Sequence, residues 1–248
     1  MIDSPSLLKI EQLSHRFGDK VAIDHVDWKL DQCGVVGLVG PNGAGKTTMM
    51  DVITGRTRPD KGTALFQGGH DLTRMDEAEI ANLGIGRKFQ KPTVFESHSV
   101  EDNLLLAQKA PRGPFATLIA KLSGAQQDAI DETLQTIALT GDRHRPAGDL
   151  SHGQKQWLEI GMLLMQQPDL LLVDEPVAGM TDAETEQTAD LLRQISKTRS
   201  VVVVEHDMEF VRALGTKVSV LHEGSVLSEG PLDVVQNDAK VIEVYLGR

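Results

Sequence analysis

Apolar and polar residues alternate through the first thirty or so positions, as in Leu8-Lys9-Ile10-Glu11 and Val26-Asp27-Trp28-Lys29-Leu30. Such alternation puts successive side chains on opposite faces of a strand, and Phe17-Gly18-Asp19-Lys20 reads as the turn between two of them. A small antiparallel sheet is predicted. The continuous apolar run Val35-Val36-Gly37-Leu38-Val39 is a buried strand, and a helix opens soon after it at Lys46-Thr47. Gly55 and Pro59-Asp60-Lys61-Gly62 signal a stop and a turn before another short strand at Thr63-Ala64-Leu65-Phe66. From Met75 to Gln167 the pattern is mostly helical, interrupted at Pro111-Arg112-Gly113-Pro114. Within it Ile130, Leu134, Ile137 and Ala138 predict a helix over Asp128–Thr140, stopped by Gly141. Apolar strands resume at Leu170–Val173 and Val201–Val204, with a helix pattern over Ala183–Lys197 between them. That βαβ unit implies a parallel sheet covered on both faces. No tandem repeat or low-complexity tract interrupts the pattern.

The expected fold is therefore α/β. A mostly parallel core with an antiparallel β subdomain comes from residues 1–74 and 168–248, and residues 75–167 form a mostly helical insert. A chain of 248 residues with 40% hydrophobic content suits one large domain or two intimately joined lobes. No window approaches the roughly 18 apolar residues of a membrane span. The start Met1-Ile2-Asp3-Ser4-Pro5 lacks the features of a signal peptide, so a cytoplasmic location is expected. Cys33 is the single cysteine, which excludes an internal disulfide, and its apolar neighbours predict a small core residue. The net charge of −11 argues against nucleic acid as a partner, since phosphate-backbone affinity rests on clustered Lys and Arg.

The candidate chemistry begins at Gly40-Pro41-Asn42-Gly43-Ala44-Gly45-Lys46-Thr47, followed by Thr48. An apolar strand enters this glycine loop and a helix leaves it, so backbone N–H groups and the helix start form a nest for phosphate oxygens. Lys46 would reach the outer phosphates and the Thr47 hydroxyl would bind Mg²⁺, which makes ATP and Mg²⁺ the expected ligands. Phe17, before a turn glycine, is either a stacking platform for adenine or a hydrophobic anchor under the hairpin. Asp174 and Glu175 end a buried strand, where ligands of open α/β sheets bind. Asp174 can hold Mg²⁺ through its water shell, and Glu175 can polarise the attacking water. Leu150-Ser151-His152-Gly153-Gln154 begins a helix with Ser151 as its N-cap.

The whole sequence resembles the nucleotide-binding subunits of ABC transporters, whose L-S-G-G-Q signature this pentapeptide matches at four of five positions. The resemblance spans essentially the full length: Walker A at Gly40–Thr47, Gln90 as the Q-loop glutamine, the signature, Walker B with Asp174 and Glu175, and His206 as the switch histidine. It implies an ABC ATPase fold on a P-loop NTPase core. Gln90 would contact Mg²⁺ or the attacking water, and His206 the γ-phosphate. Ser151, Gly153 and Gln154 would bind the nucleotide of a partner subunit. Two departures stand out: His152 replaces the first signature glycine, and Val177-Ala178-Gly179-Met180-Thr181-Asp182 follows Walker B in place of the usual wording.

That wording, the Lys-Phe-Gln-Lys-Pro-Thr-Val-Phe stretch and the ending Val241–Gly247 are similar to ATPases of branched-chain amino-acid and urea or short-chain amide uptake systems, the urea type most of all. The implied partners are transmembrane permease subunits, a second ATPase subunit (related or identical) in an ATP-sandwich dimer, and indirectly a solute-binding protein. The chain would then sit on the cytoplasmic face of the plasma membrane, docking through Lys91-Pro92-Thr93-Val94-Phe95. A soluble ABC ATPase acting on nucleic acid would show paired cassettes or basic extensions, and a weakly hydrolysing switch would not keep Glu175.

Overall fold

A computed structural model describes residues 6–88, 93–108 and 124–246. Strands β1 (Leu8–Phe17) and β2 (Lys20–Leu30) form the expected hairpin, closed by Gly18 and Asp19. Then come β3 (Gly34–Val39), α1 (Lys46–Ile53), β4 (Lys61–Phe66), the two-residue β5 (His70–Asp71) and α2 (Glu77–Leu83). Next are β6 (Ile85–Lys88), α3 (Val100–Ala107), α4 (Gly124–Thr136) and α5 (His152–Leu164). The chain continues through β7 (Leu170–Asp174), α6 (Asp182–Ile195), β8 (Ser200–Val204) and α7 (Met208–Leu214). It ends with β9 (Lys217–His222), β10 (Ser225–Pro231), α8 (Leu232–Val235) and α9 (Ala239–Leu246).

Two sheets organise these elements. The smaller is antiparallel in the order β2-β1-β4-β5, and the larger runs β10-β9-β3-β8-β7-β6. In the larger one every neighbouring pair is parallel except β9 and β10. The apolar runs of β7 and β8 serve both faces of that sheet. Leu170, Leu172, Val202 and Val204 pack toward α1 and the antiparallel sheet, while Leu171, Val173, Val201 and Val203 pack toward α5 and α6. A strand covered on both sides needs no polar positions, which is why these runs are continuous rather than alternating. Trp28 ties the two sheets by donating its indole N–H to Ser219 Oγ at 2.9 Å.

Three expectations are corrected. Cys33 is exposed, in the turn between β2 and β3, where it adopts φ 55° and its N–H bonds Ser200 Oγ. Its valine neighbours belong to β3, beyond that reversal. The stretch 75–167 contains β6, which pairs with β7 at the edge of the large sheet. Its short Ile-Gly-Arg-Lys sequence carries no strand-like run, because Arg87 and Lys88 point to interior carboxylates rather than to water. Finally, α4 ends at Thr136: Ala138 turns left-handed at φ 57° and sends Leu139 back into the core ahead of Gly141. Among the described residues no helix is long and apolar enough to cross a membrane.

Candidate functional site

Register across the large sheet brings the site together. Leu38 of β3 and Asp174 of β7 both stand beside Val204 of β8, so three adjacent strands end at one level. The glycine loop, Glu175 and His206 all follow within two residues of that edge. The apolar strands thus fix the chemistry by fixing their own ends.

The loop between β3 and α1 is shaped by its glycines. A Cβ on Gly40 would lie 2.2 Å from the Leu221 carbonyl oxygen and one on Gly45 2.5 Å from that of Ala22, and both residues have positive φ. Only glycine lets the loop pass so close to β2 and β9. The start of α1 is also unusual. Helices α2, α3, α5 and α6 each open with a capping box, whereas α1 opens at Gly45 with no side-chain hydrogen bond. A helix start lacking such an acceptor is suited to an anion, and a phosphate fits that need.

Lys46 lies along the loop and donates to the carbonyls of Gly40 and Pro41 at 2.6 and 3.1 Å. Burial lowers its pKa, and the charges of Glu175 and Asp174 pull it back up. A cavity of about 290 Å³ is lined by Phe17, Asn42 to Thr48, Asp174, Glu175 and others. Phe17 is 55% exposed and meets His15 edge-on at 4.6 Å, so it does not lie buried under the hairpin.

Asp174 is buried, and desolvation raises its pKa against the opposing pull of Arg87. Arg87 bridges two carboxylates, with one guanidinium nitrogen 2.6 Å from Asp51 Oδ1 and another 3.6 Å from Asp174 Oδ2. Glu175 has φ 46°, a conformation sparsely populated by non-glycine residues, and its N–H bonds the Val204 carbonyl. That turn faces its carboxylate to His206, whose Nδ1 is 3.7 Å from Glu175 Oε1 and also 3.7 Å from Glu205 Oε2.

Glu205 is a buried carboxylate that the sequence did not reveal. It accepts backbone N–H groups from Val177, His206 and Asp207, tying the loop after Glu175 to the loop carrying His206. Burial raises its pKa, and these hydrogen bonds oppose the rise. Arg87 and Lys88 were equally hidden. Their signal is two adjacent cations, a pattern common on any surface.

The signature residues stand apart. Ser151 caps α5 and exchanges hydrogen bonds with Gln154 in a capping box. Neither of them nor Gly153 lines the cavity at the phosphate loop. His152 turns away from the helix start, with Nε2 3.0 Å from the Ala178 carbonyl. Gln90, Lys91 and Pro92 lie outside the described residues, so the structure locates only Thr93 to Phe95 of the expected docking lip, with Phe95 exposed.

Residues 23–178 match the ABC transporter family. The chain belongs to that family. It is an ATP-binding cassette, an ATP-hydrolysing transporter ATPase. Residues 225–248 also match the family described as "Branched-chain amino acid ATP-binding cassette transporter". The high-affinity branched-chain amino acid transport ATP-binding protein LivG of Escherichia coli K12 is 34% identical over 98% of this chain and 99% of its own length. The corresponding protein BraF of Pseudomonas aeruginosa is 33% identical over 98% and 99%. Among solved structures, the ADP conformation of an ATP-binding cassette of an ABC transporter superposes with a TM-score of 0.84 at 30% identity, covering 98% of this chain and 99% of that one. A nucleotide-free cassette gives 0.83 at 29% identity, covering 98% and 100%. Both cassettes share the fold described above.

Proposed function

We propose that this ABC ATPase powers an importer of branched-chain amino acids. The observation that carries the reading is end-to-end similarity to LivG and BraF, together with a match of the last 24 residues to the branched-chain amino acid family. The urea or short-chain amide reading suggested by the sequence has no such support among these relatives and becomes the alternative outcome of the test. The chain sits peripherally on the cytoplasmic face of the membrane. Its partners are permease subunits, a related or identical ATPase subunit, and indirectly a solute-binding protein.

In this reading the N–H groups opening α1 and the Lys46 ammonium hold the β- and γ-phosphates. Phe17 stacks on the adenine. Thr47 and Asp174 would hold Mg²⁺, with Gln90 expected to join them, and the ion would supply charge neutralisation. Asp174 is buried with Arg87 3.6 Å away, and a further cation there would add to the offset of its desolvation that Arg87 provides. Glu175 accepts a proton from water as the water oxygen attacks the γ-phosphorus, and the ADP oxygen leaves with the bonding pair. His206 is directed at the γ-phosphate. The separation of Ser151, Gly153 and Gln154 from the cavity supports a shared site, in which they reach the nucleotide of the opposite subunit.

The test is uptake of labelled leucine and of labelled urea by vesicles carrying the assembled transporter, with ATP hydrolysis measured in the same vesicles. Leucine uptake should stimulate hydrolysis, and Glu175→Gln should slow hydrolysis by about 10²–10⁴-fold, the usual loss on removing a general base. Urea uptake without leucine uptake overturns the proposed solute. Hydrolysis at the wild-type rate by Glu175→Gln overturns the proposed base.

A further inference from the structure

The start of α5 already holds an anion of the protein's own. Ser151 donates its hydroxyl proton to Glu184 Oε1 at 2.9 Å, while Glu184 Oε2 takes both the N–H and the hydroxyl of Thr181 at 3.0 Å. The carboxylate is pressed onto the first turn of α5: a Cβ on Gly153 would lie 2.5 Å from Glu184 Oε1. The Thr181 N–H most of all, then the Ser151 hydroxyl and also the Gly153 N–H, hold the Glu184 carboxyl below the usual glutamate range, so it stands ionised among these donors.

We propose that Glu184 competes with the partner subunit's γ-phosphate for the Ser151 hydroxyl and the first N–H groups of α5, and so sets the ATP concentration at which two subunits close. This rests on the shared-site reading above. The competition follows from supply. A serine hydroxyl has one proton to donate, and a helix start offers few unbonded N–H groups. The γ-phosphate and the Glu184 carboxylate are both anions drawn to the same positive helix end, and at hydrogen-bond separation they repel each other. Closure therefore requires Glu184 to swing aside or to lose its bond to Ser151. Its own helix tolerates this, because Thr181 remains as the N-cap of α6.

Glu184→Gln isolates the charge. Glutamine serves at the third position of a capping box as glutamate does, so α6 keeps its start, while the neutral amide oxygen is the weaker acceptor. The measurement is the ATP dependence of hydrolysis by the assembled transporter. Glu184→Gln should lower the KM for ATP about fivefold, the factor set by the upper end of a single charge's interaction with an exposed helix terminus. The shift should shrink when Ser151→Ala is also present, since the contested hydroxyl proton is then gone and only the N–H groups of α5 remain in dispute. A purely structural role for Glu184 would lower the melting temperature and leave the KM unmoved. If Ser151→Ala hydrolyses ATP at the wild-type rate, the shared-site reading fails and this inference with it. If Ser151→Ala is impaired but Glu184→Gln leaves the KM unchanged or raises it, the competition alone is overturned.

Discussion

Lys88→Met should destabilise the fold by about 3–5 kcal/mol, because it strands a carboxylate in the interior. Lys88 ends β6 with its ammonium 3.5 Å from Glu159 Oε2 on α5, and both side chains are almost wholly out of water. At that distance the Coulomb attraction is about 5 kcal/mol for an effective dielectric constant of ~20. Removing each ion from water costs several kcal/mol, so the pair as a unit contributes little net stability. The protonation tendencies agree: burial lowers the Lys88 pKa and raises that of Glu159, and each partner pulls the other back. Glu159 also accepts the N–H and hydroxyl of Thr93, so one carboxylate holds residues on both sides of the segment that carries Gln90. The double variant Lys88→Met/Glu159→Leu should recover most of the single variant's loss, giving a coupling energy of about 2 kcal/mol or more in a double-mutant cycle.

The loss should also depend on pH. Without Lys88 the Glu159 pKa climbs further above the ordinary glutamate value of 4.5. Between that value and the raised folded one, the native state binds the proton more tightly than the unfolded chain, so stability falls as pH rises. The penalty of Lys88→Met is therefore smaller near pH 5 than near pH 8. Urea denaturation followed by tryptophan fluorescence at both pH values measures it. A single variant within about 1 kcal/mol of wild type near pH 8, or a double variant as unstable as the summed singles, would refute the reasoning.

Lys46→Ala should weaken ATP binding by about 10-fold or more in titration calorimetry, the scale of one charge-assisted hydrogen bond, while the melting temperature barely moves. Gly45→Ala combines φ 104° with a 2.5 Å clash against the Ala22 carbonyl, so it should lose ATP binding and destabilise by roughly 2–3 kcal/mol. Gly43→Ala, with φ 83° but open space around its Cβ, should cost only about 1 kcal/mol, and equal effects in thermal melts would contradict this contrast. His152→Gly removes the bond to the Ala178 carbonyl and should cost about 1 kcal/mol of stability while steady-state turnover stays within about twofold. A large loss of turnover would place the imidazole in the chemistry.

Three strands of the large sheet, the hairpin, the phosphate loop and the family resemblance were legible in the sequence. Continuous apolar runs at Val35–Val39, Leu170–Val173 and Val201–Val204 read as interior strands, and beyond them follow Gly40, Asp174 and, singled out only by the family resemblance, His206. Local chemistry was equally legible where it acts over a few residues, as in Ser151 as the N-cap of α5. What the sequence left open depended on partners distant along the chain. Arg87 and Lys88 gain a role only through the pairing of β6 with β7, which aims them at Asp174 and Glu159, 87 and 71 residues away. Cys33 read as core because its neighbours are apolar, yet a left-handed turn puts it outside. Glu205 and Glu184 belong to none of the motifs read in the sequence, and only the packing of β8 and α6 against neighbouring loops makes one a buried tie and the other an occupant of the α5 start. Periodicity encodes which face of an element is buried, whereas the partner that a buried charge meets is decided by register and packing between elements.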